Sequence, residues 1–160
     1  MKIGFKIYMD IKDQAKLKEE ISKKKKEGWI EAWFAVEALA VKENVVENAL
    51  KDHVERLSRA KDVFAYDTQF LEVKKVENPT QHIKEGFSQV AEMKLFIRNL
   101  NSLVAIIIVY GPSSIEIIGP EKKDLKIEEM QNMANLLAGY VHQFAAAGVG
   151  GLVISSGKGQ

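Results

Sequence analysis

The sequence predicts an α+β fold. Segments with apolar residues at every second position alternate with segments whose apolar residues recur at helical spacing, across a single stretch of 160 residues. Apolar residues make up 46% and charged residues 28%, the balance of a soluble globular chain rather than a disordered one. That length suits one domain able to remove about 70% of its unfolded surface from water.

The elements follow in order. In "KIGFKIYMDI", Ile3, Phe5, Ile7, Met9 and Ile11 share one face, which predicts a half-buried strand. "DQAKLKEEISKKKKEG" reads as a surface helix carrying Leu17 and Ile21, with Gly28 as its stop. "WIEAWFAVEALAV" is apolar nearly all round as a helix. As a strand it puts Ile30, Ala32, Phe34, Val36 and Ala38 on one face, and its aromatic and β-branched content favours the strand. Asn44, with Glu47 three residues on, reads as a variant capping box opening a helix in which Val46, Leu50, Val54 and Leu57 face inward.

"VFAYDTQFLEVKKVE" is strand-like, Asn78-Pro79 marks a loop, and "VAEMKLFIRN" alternates cleanly, so the two segments read as a hairpin. "NLNSLVAIIIVYGP" carries conflicting signals. The β-branched run from Ile106 to Val109 argues for a strand and a hairpin turn at Gly111-Pro112. Asn99 or Asn101 as N-cap, and Gly111-Pro112 as terminator, argue for a helix, which is the preferred reading. "SSIEII" is then a short strand ended by Gly119-Pro120. The last helix spans Leu125 to Ala147, "GLVIS" has strand composition, and "SGKGQ" reads as a tail.

Within residues 29–118 the order is strand, helix, strand, strand, helix, strand. In element order alone this is similar to the ferredoxin-like βαββαβ sandwich. The expected domain is therefore that core, with an N-terminal strand-helix extension over residues 1–28 and a long helix, short strand and tail over residues 119–160.

Function is less legible. A formal charge of +1 supplies no global field for nucleic acid or membrane, and the absence of cysteine removes disulfides, zinc-thiolate sites and thiol nucleophiles. The longest apolar run, "LVAIIIVY", is too short to span a bilayer, and no signal-peptide pattern opens the chain, so a cytoplasmic location without membrane association is expected. Lys/Glu richness with few prolines hints at a thermophile. Ser113 and Ser114 lack the surroundings of a nucleophile, "GGLVISSGKG" has the wrong spacing for a P-loop, and His53, His82 and His142 form no local metal-ligand pair. His53 and His82 are expected to be solvated. No cofactor or metal is expected.

Two surfaces stand out. Met130 to Gly157 contains no Asp, Glu, Lys or Arg. The last helix has an apolar stripe of Ile127, Met130, Ala134, Leu137, Val141 and Phe144, widened by Met133, Leu136 and Tyr140. Its other face carries Gln131, Asn132, Asn135, Gly139, His142 and Gln143, so few charges that a covering neighbour or ligand is expected there. Gln131, Asn135, Gly139, His142 and Gln143 are the candidate ligand or interface residues. The second surface is an open sheet face with Lys6, Tyr8, Trp33, Lys94, Phe96, Arg98 and Glu116, of which Tyr8, Trp33, Lys94, Phe96 and Arg98 are the candidate RNA contacts. No RNA-recognition signature accompanies them, and the first or last helix would cover that face in the alternative arrangement. The reading is a non-catalytic α+β module that forms a homo-oligomer. An RNA-binding module is the alternative, and a small-molecule sensor or enzyme around the last helix the third; its ligand has no signature in the sequence.

Overall fold

The computed structural model describes residues 11–148. Four helices accompany a five-stranded antiparallel sheet: α1 (Ile11–Lys26), β1 (Ile30–Ala40), α2 (Glu43–Ser58), β2 (Val63–Phe70), β3 (Lys74–Thr80), β4 (Ile83–Ile97), α3 (Leu100–Tyr110), β5 (Ser114–Gly119) and α4 (Ile127–Ala146). Two compact units divide the chain, residues 1–123 and residues 124–160.

In the first unit the strand order is β2-β4-β1-β5. The connection from β1 through α2 to β2 therefore steps over β4, and that from β4 through α3 to β5 steps over β1. β3 pairs with the first half of β4, and β2 with its second half. Both lie on the edge of β4 away from β1, so they run end to end.

The period-two pattern sets the core. Ile30, Ala32, Phe34 and Val36 of β1 stand opposite Ile97, Leu95, Met93 and Ala91 of β4, and all eight are buried. Against this layer α2 lays Leu50, Val54 and Leu57, and these with Val46 are buried as their spacing of four and three predicts. α3 adds Leu103 and Ile106.

The conflict over residues 99–110 resolves to a helix. Asn99 caps it, its side chain accepting the Ser102 N–H at 2.8 Å, and Gly111 ends it in the left-handed region at φ 54°. Gly86 meets a different demand, since a Cβ there would stand 3.0 Å from Pro79 Cγ and 3.2 Å from the Ala40 carbonyl.

Several expectations are corrected. Ile11 opens α1 instead of closing a strand, and residues 1–10 and 149–160, which include the expected first strand, "GLVIS" and the tail, lie outside the described residues. α2 begins at Glu43 with Lys42 as N-cap and no side-chain cap, because Glu43 already complements the positive helix end, leaving Asn44 inside the first turn. Asn78-Pro79 is not the loop. It forms an irregularity inside β3, where Asn78 has φ 49° and proline's missing N–H is tolerated on an edge strand. The turn is made by Gln81 and His82, between the paired Thr80 and Ile83.

In the second unit α4 is closed at its N-terminus by Glu129, whose carboxylate accepts the Lys126 N–H at 2.9 Å. No residue of α4 is buried.

Candidate functional site

Registers across the sheet align Asp67, Lys94, Trp33 and Glu116 in one row on the face away from α2 and α3. Three of the residues expected to share an open face, Trp33, Lys94 and Glu116, are thus neighbours. Lys94 Nζ lies 3.8 Å from Asp67 Oδ2. A shallow cavity of about 150 Å³ is lined here by Trp33, Asp67, Gln69, Glu92, Met93 and Lys94.

One row further along, the face is covered. Phe96 stands opposite Glu31 on one side and Phe64 on the other, and the Tyr66 ring lies 5.4 Å from it. The last turn of α1 folds against this end. Lys25 Nζ reaches Glu31 Oε2 at 3.2 Å, and Lys24 Nζ sits 3.9 Å from the Trp29 ring centroid. Tyr66 donates its hydroxyl to Glu31 Oε1 at 2.7 Å. Burial first, then the bond to Glu31 and the charges of Glu31 and Asp67, hold the Tyr66 hydroxyl well above the usual phenol range.

Phe96 is consequently 0% exposed, and its place among the RNA contacts is withdrawn: a ring with no free face cannot stack a base. Arg98 is exposed but lies beyond the end of β4, paired with Asp62 at 3.5 Å. Tyr8 lies outside the described residues. Around Trp33 and Lys94 the alternation of β1, β2, β4 and β5 places Glu31, Glu37, Asp67, Glu92 and Glu116 on the same face. With Glu31 buried, a phosphate backbone approaching this surface would meet the carboxylates of Glu37, Asp67, Glu92 and Glu116 around Lys94, which is itself paired with Asp67.

The histidines separate. His53 is half-buried rather than solvated, its Nε2–H donating to the Tyr110 carbonyl at 2.9 Å and its ring edge-on to the Tyr110 ring, which ties α2 to the end of α3. That tertiary bond is invisible in a local pattern. His82 sits in the β3–β4 turn, and His142 is exposed on α4. An open groove of about 620 Å³ near Tyr110 is lined by Asp52, Glu55, Arg56 and Arg59, with Arg59 already paired to Glu55 at 2.6 Å. Among the described residues, no three His, Asp or Glu side chains gather as metal ligands.

On α4 the five expected residues, Gln131, Asn135, Gly139, His142 and Gln143, are all exposed, and Gln131 bonds Asn135 at 3.2 Å. The apolar stripe is exposed as well, with Ile127 at 81% and Val141 at 56%. Residues 31–153, running from β1 through α4, match the model of the MJ0538 family. The chain belongs to the MJ0538 family. No curated protein matches it. Among the described residues of this MJ0538-family chain, no helix is long and apolar enough to cross a membrane.

Proposed function

We propose that the chain is a ferredoxin-like sandwich used as a non-catalytic, self-associating module, with α4 of one copy packed on α4 of another. The observation that carries this is the unburied stripe of α4. Met130, Met133, Leu137, Tyr140 and Phe144 follow the 3,4,3,4 spacing of a two-helix seam, and Ile127 and Val141 flank it. Burying a side chain of this size contributes about 1.5–3 kcal/mol. Met130, Leu137 and Phe144 still expose 44%, 42% and 46% of their surface, so each gains about half of that, and five from each copy together contribute a total comparable to the roughly 4–15 kcal/mol that association costs in lost freedom.

The strand order and the two crossovers support the ferredoxin-like reading. Gln143 borders the seam, and Gln131, Asn135, Gly139 and His142 lie on the far side of the helix. The small-molecule reading ranks lower, because Gln131, Asn135 and His142 stand exposed on one helix face without the enclosure a ligand site needs. RNA binding ranks below self-association on account of the carboxylates around Lys94. The module's compartment, on this reading, is the cytoplasm.

Light scattering on the intact chain tests it. Leu137→Lys is expected to lower the mass while the fold persists, and an unchanged mass rejects the seam. Asn135→Lys separates two assemblies: a two-helix seam tolerates it, whereas a bundle enclosing α4 on both sides loses mass.

A further inference from the structure

The two edges of the sheet are built differently. Along the β2–β3 edge the register shifts twice, between Ala65 and Asp67 and between Glu77 and Thr80. Lys74, Lys75 and Glu77 are strand residues there, and Pro79 removes a donor. Charge, irregularity and proline are the devices that keep an edge from pairing with another chain. β5, on the opposite edge, has little of this. Ser114 to Ile117 pair without a break with Ala35 to Ala32, and the irregularity comes only after Ile117. Ile115, Ile117 and Ile118 are 36%, 50% and 48% exposed, and Glu116 is the strand's one charge.

We propose that β5 is a self-pairing edge, joining antiparallel to β5 of a second copy so that one sheet runs through both. An extended edge is satisfied by another extended strand, because its outward N–H and C=O groups are the contact. A two-fold pairing must keep core-side residues opposite core-side residues, so its axis falls on a residue of β5. Centred on Glu116, it would set that carboxylate against itself. Centred on Ile117, it would run into the irregular Ile118. Centred on Ile115, it uses only the regular stretch, sets Ile115 against Ile115, and faces each Ser114 hydroxyl with the other copy's Glu116 carboxylate. The occupant this edge fits best is therefore its own copy. Beside it in the chain, α3 contains no charged residue and leaves Val109 62% exposed, extending the uncharged character of this region. This surface belongs to the first unit and does not depend on α4.

The chain has no cysteine, so Ile115→Cys creates a single thiol on the proposed axis. Directly opposed strand residues stand at Cα separations of about 4.5–5.5 Å, inside the range that a disulfide spans. Under mild oxidation the full-length Ile115→Cys chain is expected to convert to a species of doubled mass, whereas Leu39→Cys, an exposed β1 position, stays at the starting mass. Cross-linking of Ile115→Cys no faster than Leu39→Cys overturns the proposal. The same pair is run with Leu137→Lys added. Persistence of the cross-link there supports β5 pairing whatever becomes of the α4 seam, and its loss overturns it. In the unmutated chain, amide exchange over residues 114–117 reads the contact directly: slow exchange at high protein concentration that quickens on dilution supports it, and exchange that ignores concentration overturns it.

Discussion

Tyr66 and Glu31 form a part-buried polar contact 35 residues apart in the chain. Glu31 is only 9% exposed, and its carboxylate is satisfied there by accepting from Tyr66 and pairing with Lys25. Removing the hydroxyl with Tyr66→Phe is expected to cost about 1–2 kcal/mol at neutral pH, toward the range for hydrogen bonds to charged groups. The pH dependence has a definite sign. An unfolded tyrosine loses its proton near pH 10, roughly, while the folded Tyr66 retains it. Its contribution is thus complete below pH ~10 and declines as pH rises beyond that. Urea unfolding at pH 7 and pH 11 should show the gap between the native chain and Tyr66→Phe narrowing at the higher pH. None of this was legible in the sequence, where Tyr66 is one aromatic in a strand-like run. Phe96 was misjudged for the same reason: alternation put it on the correct face, but what covers a face comes from elsewhere in the chain.

Among the elements, α3 shows how end signals outweigh interior propensity. Ile106, Ile107, Ile108 and Val109 favour a strand by their branching, yet Asn99 and Gly111 bound a helix. Asn99→Ala is expected to lower stability by about 1 kcal/mol, with Asn99→Ser nearly neutral, as read by chemical denaturation. Gly111→Ala should cost a similar amount, about 1 kcal/mol, because its φ of 54° suits glycine. In β1, Phe34→Ala removes a ring that is 0% exposed and is expected to cost about 3–5 kcal/mol in the same assay. β1 and α2 were readable from periodicity, although the cap expected of α2 is absent, and α3 and β5 from the Asn99 cap and the glycines that end them. β3 was not: Asn78-Pro79 has the chemistry of a turn, and its place inside an edge strand follows from the pairing of Val76 with Gly86 and Thr80 with Ile83.

At the scale of the molecule, association links stability to concentration. If copies join, diluting the native chain should lower its melting temperature, and Leu137→Lys should reduce that dependence in calorimetry by the share that the α4 seam contributes. The sequence supplied the alternation of elements and a last helix free of charge beyond its first turn, but strand order, set by contacts distant along the chain, emerged only in three dimensions. The place of β4 in that order has a consequence for biosynthesis. β1 finds its central partner only when Ile30 meets Ile97, so a nascent chain that has released β1 and α2 from the ribosome holds a strand of eleven residues, rich in aromatic and aliphatic side chains, before either of the strands that flank it among the described residues, β4 and β5, has been made. For as long as translation takes to reach β4, that strand is what a chaperone would grip.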